Sequence, residues 1–217
     1  MIISLALGSS VAAMNFELFS AFLLITLVLV IVPGPIVTLV ITTGATHGMR
    51  AALITVAGTT LGNALLIAAI AFGLNVIIRY TAEIFELLRR VGAAYLIWLG
   101  VQAWRRAGAG AAILPPRDRV HFRRGLLVAL SNPKTIAFFT AFLPQFVDPH
   151  LPTGYQLAVM CCVAVPMAAL TDAGWAVAAG TGRALFLRRA PRRWLDRLSG
   201  AVLIGGGIWL TLARRPG

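Results

Sequence analysis

Charge is scarce in this chain. Of its 217 residues 12% are charged, and only seven are acids. A soluble domain carries about 25%, so an ordinary soluble fold fits poorly. Cysteine is scarcer still: Cys161 and Cys162 are adjacent in an apolar run. That placement suits small packing residues and implies no disulfide framework. The three histidines, His47, His121 and His150, fall in stretches read as loops, far apart in sequence, with no metal-ligand spacing. No phosphate loop, zinc motif or nucleophile–base pair occurs. The expectation is no catalytic residue, no cofactor and no metal. Any driving force is then an ion or solute gradient.

What the chain has in excess is apolar length. Hydrophobic residues make up 59% and the mean hydropathy is +0.87. Such runs predict an all-α integral membrane protein in a lipid bilayer. The net charge of +12 does not point to nucleic acid, because the arginines flank apolar runs and form no continuous basic face. A span needs roughly 20 apolar residues. Six candidates are present: Phe16 to Thr43, Ala51 to Ile78, Phe85 to Trp104, Gly125 to Phe146, Tyr155 to Ala179 and Trp194 to Ala213. The third and sixth are short, with 14 uncharged residues between Arg90 and Arg105 and 16 between Arg197 and Arg214. Snorkelling arginines would extend both, and re-entrant or interfacial segments are the alternative.

Arginine counting orients the spans. Consecutive joining puts Arg50, the Arg105–Arg124 group and the Arg183–Arg197 group on one side, 13 arginines in all, against 5 on the other. The positive-inside bias then places the arginine-rich loops in the cytoplasm and both termini outside. Arg89 and Arg90 lie on the wrong side, where Glu86, three and four residues earlier, can pair with them. Residues 1–13 end in small residues but lack a positive leader segment. They are read as an N-terminal extension outside the domain of residues 14–217.

The chain looks doubled. "RRVGAAYLIWLG" in the third span resembles "DRLSGAVLIGGG" in the sixth, at an offset of 107. The halves, about 14–110 and 120–217, hold three spans each and so have opposite topology, the inverted repeat of many transporters. Each half opens on a broken helix. The first span is interrupted at Pro33-Gly34-Pro35 and the fourth at Asn132-Pro133-Lys134. Proline in a helix interior removes a donor and costs about 3 kcal/mol. Breaks at matching places in two halves point to a midplane site, where freed backbone groups bind a polar solute. A simple packing kink is the competing reading.

These segments, "PGPIVTLVITTGATHGMRAALITVAGTTLGNAL", "LLRRVGAAYLIWLGVQAWR" and "GLLVALSNPKTIAFFTAFLPQFVDP", resemble the LysE/RhtB family of amino acid exporters, over almost the whole chain from Met14. The resemblance implies export of amino acids or derivatives from the bacterial cytoplasm across the inner membrane, in exchange for protons. The homoserine/threonine/homoserine-lactone branch is the nearest. Met14 also resembles the usual start of the family.

Eight residues are candidates for binding substrate: Pro33, Gly34, Pro35, Asn63, Asn132, Pro133, Lys134 and Asp172. Asp172 is an acid in the interior of a predicted span, costly there and therefore a functional candidate for an ammonium, a proton or a structural partner. It is also the candidate for proton coupling. Lys134, the chain's single lysine, would hold a substrate carboxylate or snorkel to the cytoplasmic surface. Asn132 would bridge the broken backbone or touch solute. Gly58 and Gly62 have the small-xxx-small spacing of close helix packing, and Thr59 and Thr60 beside them are read as packing. Gly205, Gly206 and Gly207 are read the same way, and Trp98, Trp104, Trp194 and Trp209 as interface or packing residues. Short spans and glycine-rich faces fit a homodimer. The alternatives are export of another small cation or metabolite, a membrane-embedded enzyme, which would need a richer polar cluster, and a scaffold, which leaves the paired breaks unexplained. The orientation is tested by a single cysteine at position 117 in intact cells. An impermeant thiol reagent should leave it unlabelled from outside, and labelling would refute the assignment.

Overall fold

The structure is a computed structural model that describes residues 14–80, 82–106, 120–182 and 189–212. Residues 1–13, read above as an extension, and much of the two arginine-rich loops lie outside these residues. The described residues form eight α-helices and no strand. Helix α1 is Phe16–Ile31, α2 Pro35–His47, α3 Met49–Tyr80 and α4 Ala82–Arg106. Helix α5 is His121–Leu130, and α6, Pro133–Phe142, runs into a 3₁₀ turn at Leu143–Phe146. Helices α7, Thr153–Thr181, and α8, Arg189–Leu212, complete the order.

The helix ends follow from local chemistry. Asn15 caps α1, its Oδ1 accepting from the N–H groups of Glu17 and Leu18 at 3.1 and 3.2 Å. The helix stops because Pro33 drives the residue before it out of the helical region; Val32 sits at φ −68°, ψ 122°. Pro35 then opens α2 at its first position, where a missing N–H costs nothing. Gly48, at φ +89°, turns the chain into α3. The second break repeats the pattern, with Pro133 at the first position of α6.

Met49–Asn75 and Thr153–Thr181 are long and apolar enough to cross a membrane. The bent pairs α1–α2, at 43°, and α5 with α6 and its 3₁₀ turn, at 40°, pass the same test of length and apolarity together, and the number is four where each pair is counted as one span. The third and sixth expected spans, α4 and α8, fall outside that set. They have 25 and 24 residues but carry charge in their first halves, Glu83 to Arg90 and Arg189 to Arg197. Glu86 pairs with Arg89 at 2.8 Å and Arg90 at 2.9 Å, as the sequence spacing suggests.

The order of broken pair, long helix and second helix occurs twice. Each long helix packs on the broken pair of the other half: α3 on α5 and α6, α7 on α1 and α2. Helices α4 and α8 pack on each other. Glycines set these distances. A Cβ on Gly58 would lie 2.0 Å from the Phe122 carbonyl oxygen, and one on Gly125 2.3 Å from that of Thr55. Gly100 and Gly200 meet in the same way at 2.7 Å. Of Gly205, Gly206 and Gly207, only Gly207 is in such a crossing, against Ala93 and Ile97 of α4. Trp98, Trp104, Trp194 and Trp209 are exposed, and Trp209 also stacks on Phe142. Cys161 and Cys162 are free thiols on α7.

The N-terminus of α1 is tied to the second half. Asn15 Nδ2 donates to Asp148 at 2.9 Å, and buried Gln156 exchanges two hydrogen bonds with the Asp148 backbone. Bonds from Asn15 and from the His150 N–H hold the Asp148 carboxyl below its ordinary range. At the other end of the broken helices the loop reading of two histidines is corrected. His47 ends α2, His121 begins α5, and their rings lie 5.2 Å apart, because the α3–α5 crossing draws the start of α5 toward the α2–α3 turn.

The glycine crossing yields a paired prediction. Gly58→Ala forces a methyl group into backbone and should cost about 1–3 kcal/mol. Gly73, on the same helix, has nothing within 4 Å of an added Cβ, so Gly73→Ala should be neutral or gain about 0.5–1 kcal/mol. Thermal unfolding in detergent compares them, and equal melting temperatures would refute the crossing.

Candidate functional site

The two breaks meet. Lys134, one residue into α6, extends its ammonium to the end of α1. Its Nζ donates to the Leu29 carbonyl at 2.7 Å and the Val32 carbonyl at 2.5 Å. These are oxygens that the interruption of α1 leaves without helical partners. Lys134 is 7% exposed, so the snorkelling alternative is corrected: the side chain turns inward because the ended helix presents acceptors there. An unmet carbonyl away from water costs on the order of 1–3 kcal/mol, and bonds to a charged donor are the stronger kind. The ammonium and the broken backbone thus satisfy one another, and either alone would be a liability. Gly34 makes room for this reach, since a Cβ there would stand 3.0 Å from Lys134 Cδ.

A cavity of about 50 Å³ lies between the breaks. Gly34, Asn63, Asn132, Lys134 and Asp172 line it, five of the eight candidates. Pro33, Pro35 and Pro133 do not. Pro33 is buried with its carbonyl accepting from Ser199 Oγ of α8 at 2.5 Å, and Pro35 is exposed. The prolines thus shape the breaks from outside the cavity. Apolar walls come from Leu29, Ile67 and Phe139 among others.

Each polar wall residue has a defined position. Asn132 caps α6, its Oδ1 accepting from the Lys134 N–H at 3.2 Å and its Nδ2 donating to Thr135 Oγ1 at 2.7 Å. Asp172 on α7 is 5% exposed and lies 3.3 Å from the hydroxyl of Thr59 on α3, which shares its one proton between the Asp172 carboxyl and the Val56 carbonyl at 3.0 Å. It forms no ion pair within 4.0 Å among the described residues, although Lys134 carries the opposite charge at the same cavity. Asn63, 5% exposed, has its Oδ1 buried without a hydrogen-bond partner. The cavity therefore offers a carboxyl group without an ion pair and an uncommitted acceptor. That chemistry suits a small cation or the ammonium of a zwitterion.

Sequence reasoning left out three participants. Thr59, read as packing, holds the Asp172 carboxyl. It lies four residues before Asn63, hence on the same helix face, a signal that could have found it. Thr135 is three residues after Asn132 and shares its bond network. Ser199 has no comparable sequence signal, since only the packing of α8 brings it to Pro33.

Comparison with known proteins gives a family and named relatives. The LysE type translocator family matches residues 27–214. A homoserine/homoserine lactone efflux protein of Salmonella typhimurium is 33% identical over 93% of this chain and 99% of its own. A leucine efflux protein of Klebsiella pneumoniae is 33% identical over 58% of this chain and 61% of its own. A threonine efflux protein of Escherichia coli K12 is 29% identical over 91% and 98%. No solved structure matches the chain. The named relatives are efflux proteins, transporters rather than enzymes.

Proposed function

The chain belongs to the LysE family of translocators, and on that footing we propose that it exports small amino acids or their derivatives, of the homoserine, threonine and homoserine-lactone type, from the bacterial cytoplasm. The observation that carries the reading is the cavity at the meeting of the two helix breaks, where Asp172 and Asn63 have uncommitted acceptor capacity. Relatives named for homoserine, leucine and threonine efflux support the class of substrate.

In this reading the protein spans the inner membrane with six helices in two inverted halves, both termini outside. Asp172 exchanges a proton for the substrate ammonium. An intramembrane carboxyl group without an ion pair is suited to that exchange, because each ligand relieves the same electrostatic cost. Protons entering and amino acid leaving are coupled if each prefers a different conformation. The present cavity, at about 50 Å³, holds a few waters; small-molecule sites measure roughly 300–1,000 Å³. In this reading the site widens to admit substrate when the halves move apart. The second reading, export of another small cation or metabolite, is favoured by the same acceptor-rich wall and is separated by the substrate profile.

Asp172→Asn keeps the size and most of the hydrogen bonding but removes the titratable charge. It should insert at wild-type levels and lose efflux driven by an imposed pH gradient in proteoliposomes by about tenfold or more, as an essential proton carrier would. Unchanged gradient-driven efflux would reduce Asp172 to a structural acceptor for Thr59.

A further inference from the structure

The two breaks match in sequence position but differ in chemistry. At the second, Asn132 closes the first turn of α6 with its own side chain. At the first, the cap position of α2 is Gly34, and no side chain caps the turn. Pro35 has no N–H, and the first backbone bond of α2 runs from Thr38 N–H to the Gly34 carbonyl at 2.8 Å. The N–H groups of Ile36 and Val37 therefore lie ahead of the helical bonding, without a partner inside the helix. They stand at the positive end of its dipole. Both residues are buried, and both line the cavity.

An independent observation points to a ligand at the same place. Asn63, which lines the same cavity and is nine-tenths buried, leaves Oδ1 without a partner. An uncapped helix start and an unpartnered amide oxygen, together with Asp172, give one cavity both backbone donors and side-chain acceptors.

We propose that the N-terminus of α2 is the carboxylate subsite of the transport site: the N–H groups of Ile36 and Val37 hold the substrate carboxylate as the cavity widens, while Asp172 and Asn63 Oδ1 take its ammonium. The inference rests on the amino acid reading given above. It assigns Lys134 a different task from anion binding. Two of its three donors are held by the carbonyls of α1, and its charge adds to the positive field beside Gly34. It also explains glycine at a position where serine, threonine, asparagine or aspartate would cap the helix better. A capping side chain would occupy the donors that the carboxylate needs.

The test compares Gly34→Ser with Gly34→Ala. Both add the same Cβ against Lys134, and only serine adds a capping oxygen. Efflux of homoserine and of homoserine lactone, which lacks the free carboxylate, is measured in proteoliposomes. Gly34→Ser should lower homoserine efflux relative to the lactone on the order of tenfold, the loss of a charge-assisted contact, and Gly34→Ala should lower both alike. An unchanged homoserine-to-lactone ratio in the serine variant, or the same change in the alanine variant, overturns the subsite and leaves the exporter standing. Wild-type protein that exports neither compound overturns the exporter reading and the subsite with it. Should Gly34→Ser fail to insert, the wild type decides through competition: homoserine should displace labelled homoserine about tenfold better than its uncharged carboxamide, and equal displacement overturns the subsite.

Discussion

The contact between the Lys134 ammonium and the carbonyls that end α1 is the constraint from which the site follows. A helix interrupted between apolar neighbours leaves acceptors that lipid cannot satisfy. A buried ammonium leaves donors with the same difficulty. Joining them resolves both and fixes the two breaks against each other, through contacts 102 and 105 residues apart in sequence. Gly34 then cannot be larger without moving the lysine, and the cavity forms in the space between.

The surrounding helices hold this contact by exchange between halves. Helix α3 lies on the broken pair of the second half and brings Thr59 and Asn63. Helix α7 lies on the broken pair of the first and brings Asp172. The glycine crossings allow such side chains to reach the middle. With Gly58 and Gly125 at backbone contact, the α3–α5 separation is smaller than side-chain packing permits. The Thr59–Asp172 bond then ties the two long helices across the molecule.

Much of this was legible in the residues. Prolines mark breaks because they lack an N–H, so both interruptions and the helix ends beside them were visible as Pro33, Pro35 and Pro133. Small-residue spacing marked Gly58 and Gly62 as a close crossing. Asp172 was conspicuous because a carboxyl group among apolar neighbours is rare. Less legible was anything decided by which helix faces which. The direction of Lys134 was open between an inward and a snorkelling pose until the acceptors at Leu29 and Val32 were placed. Ser199 and the His47–His121 contact depend on tertiary packing alone. The difference between a self-capped break at Asn132 and an uncapped one at Gly34 was written in the sequence. Its meaning appears only once both face one cavity.

Substrate held between the two breaks should shield the residues that line the cavity there. Ala168 of α7 lines the cavity without taking part in its hydrogen bonds, and cysteine there is a small change. With Cys161 and Cys162 replaced by alanine, the rate at which a small thiol reagent alkylates Ala168→Cys reports access to the cavity. Homoserine should slow this reaction saturably, and an equal concentration of glycerol should not. Alkylation at the same rate with and without homoserine, in protein that still exports it, would contradict the account.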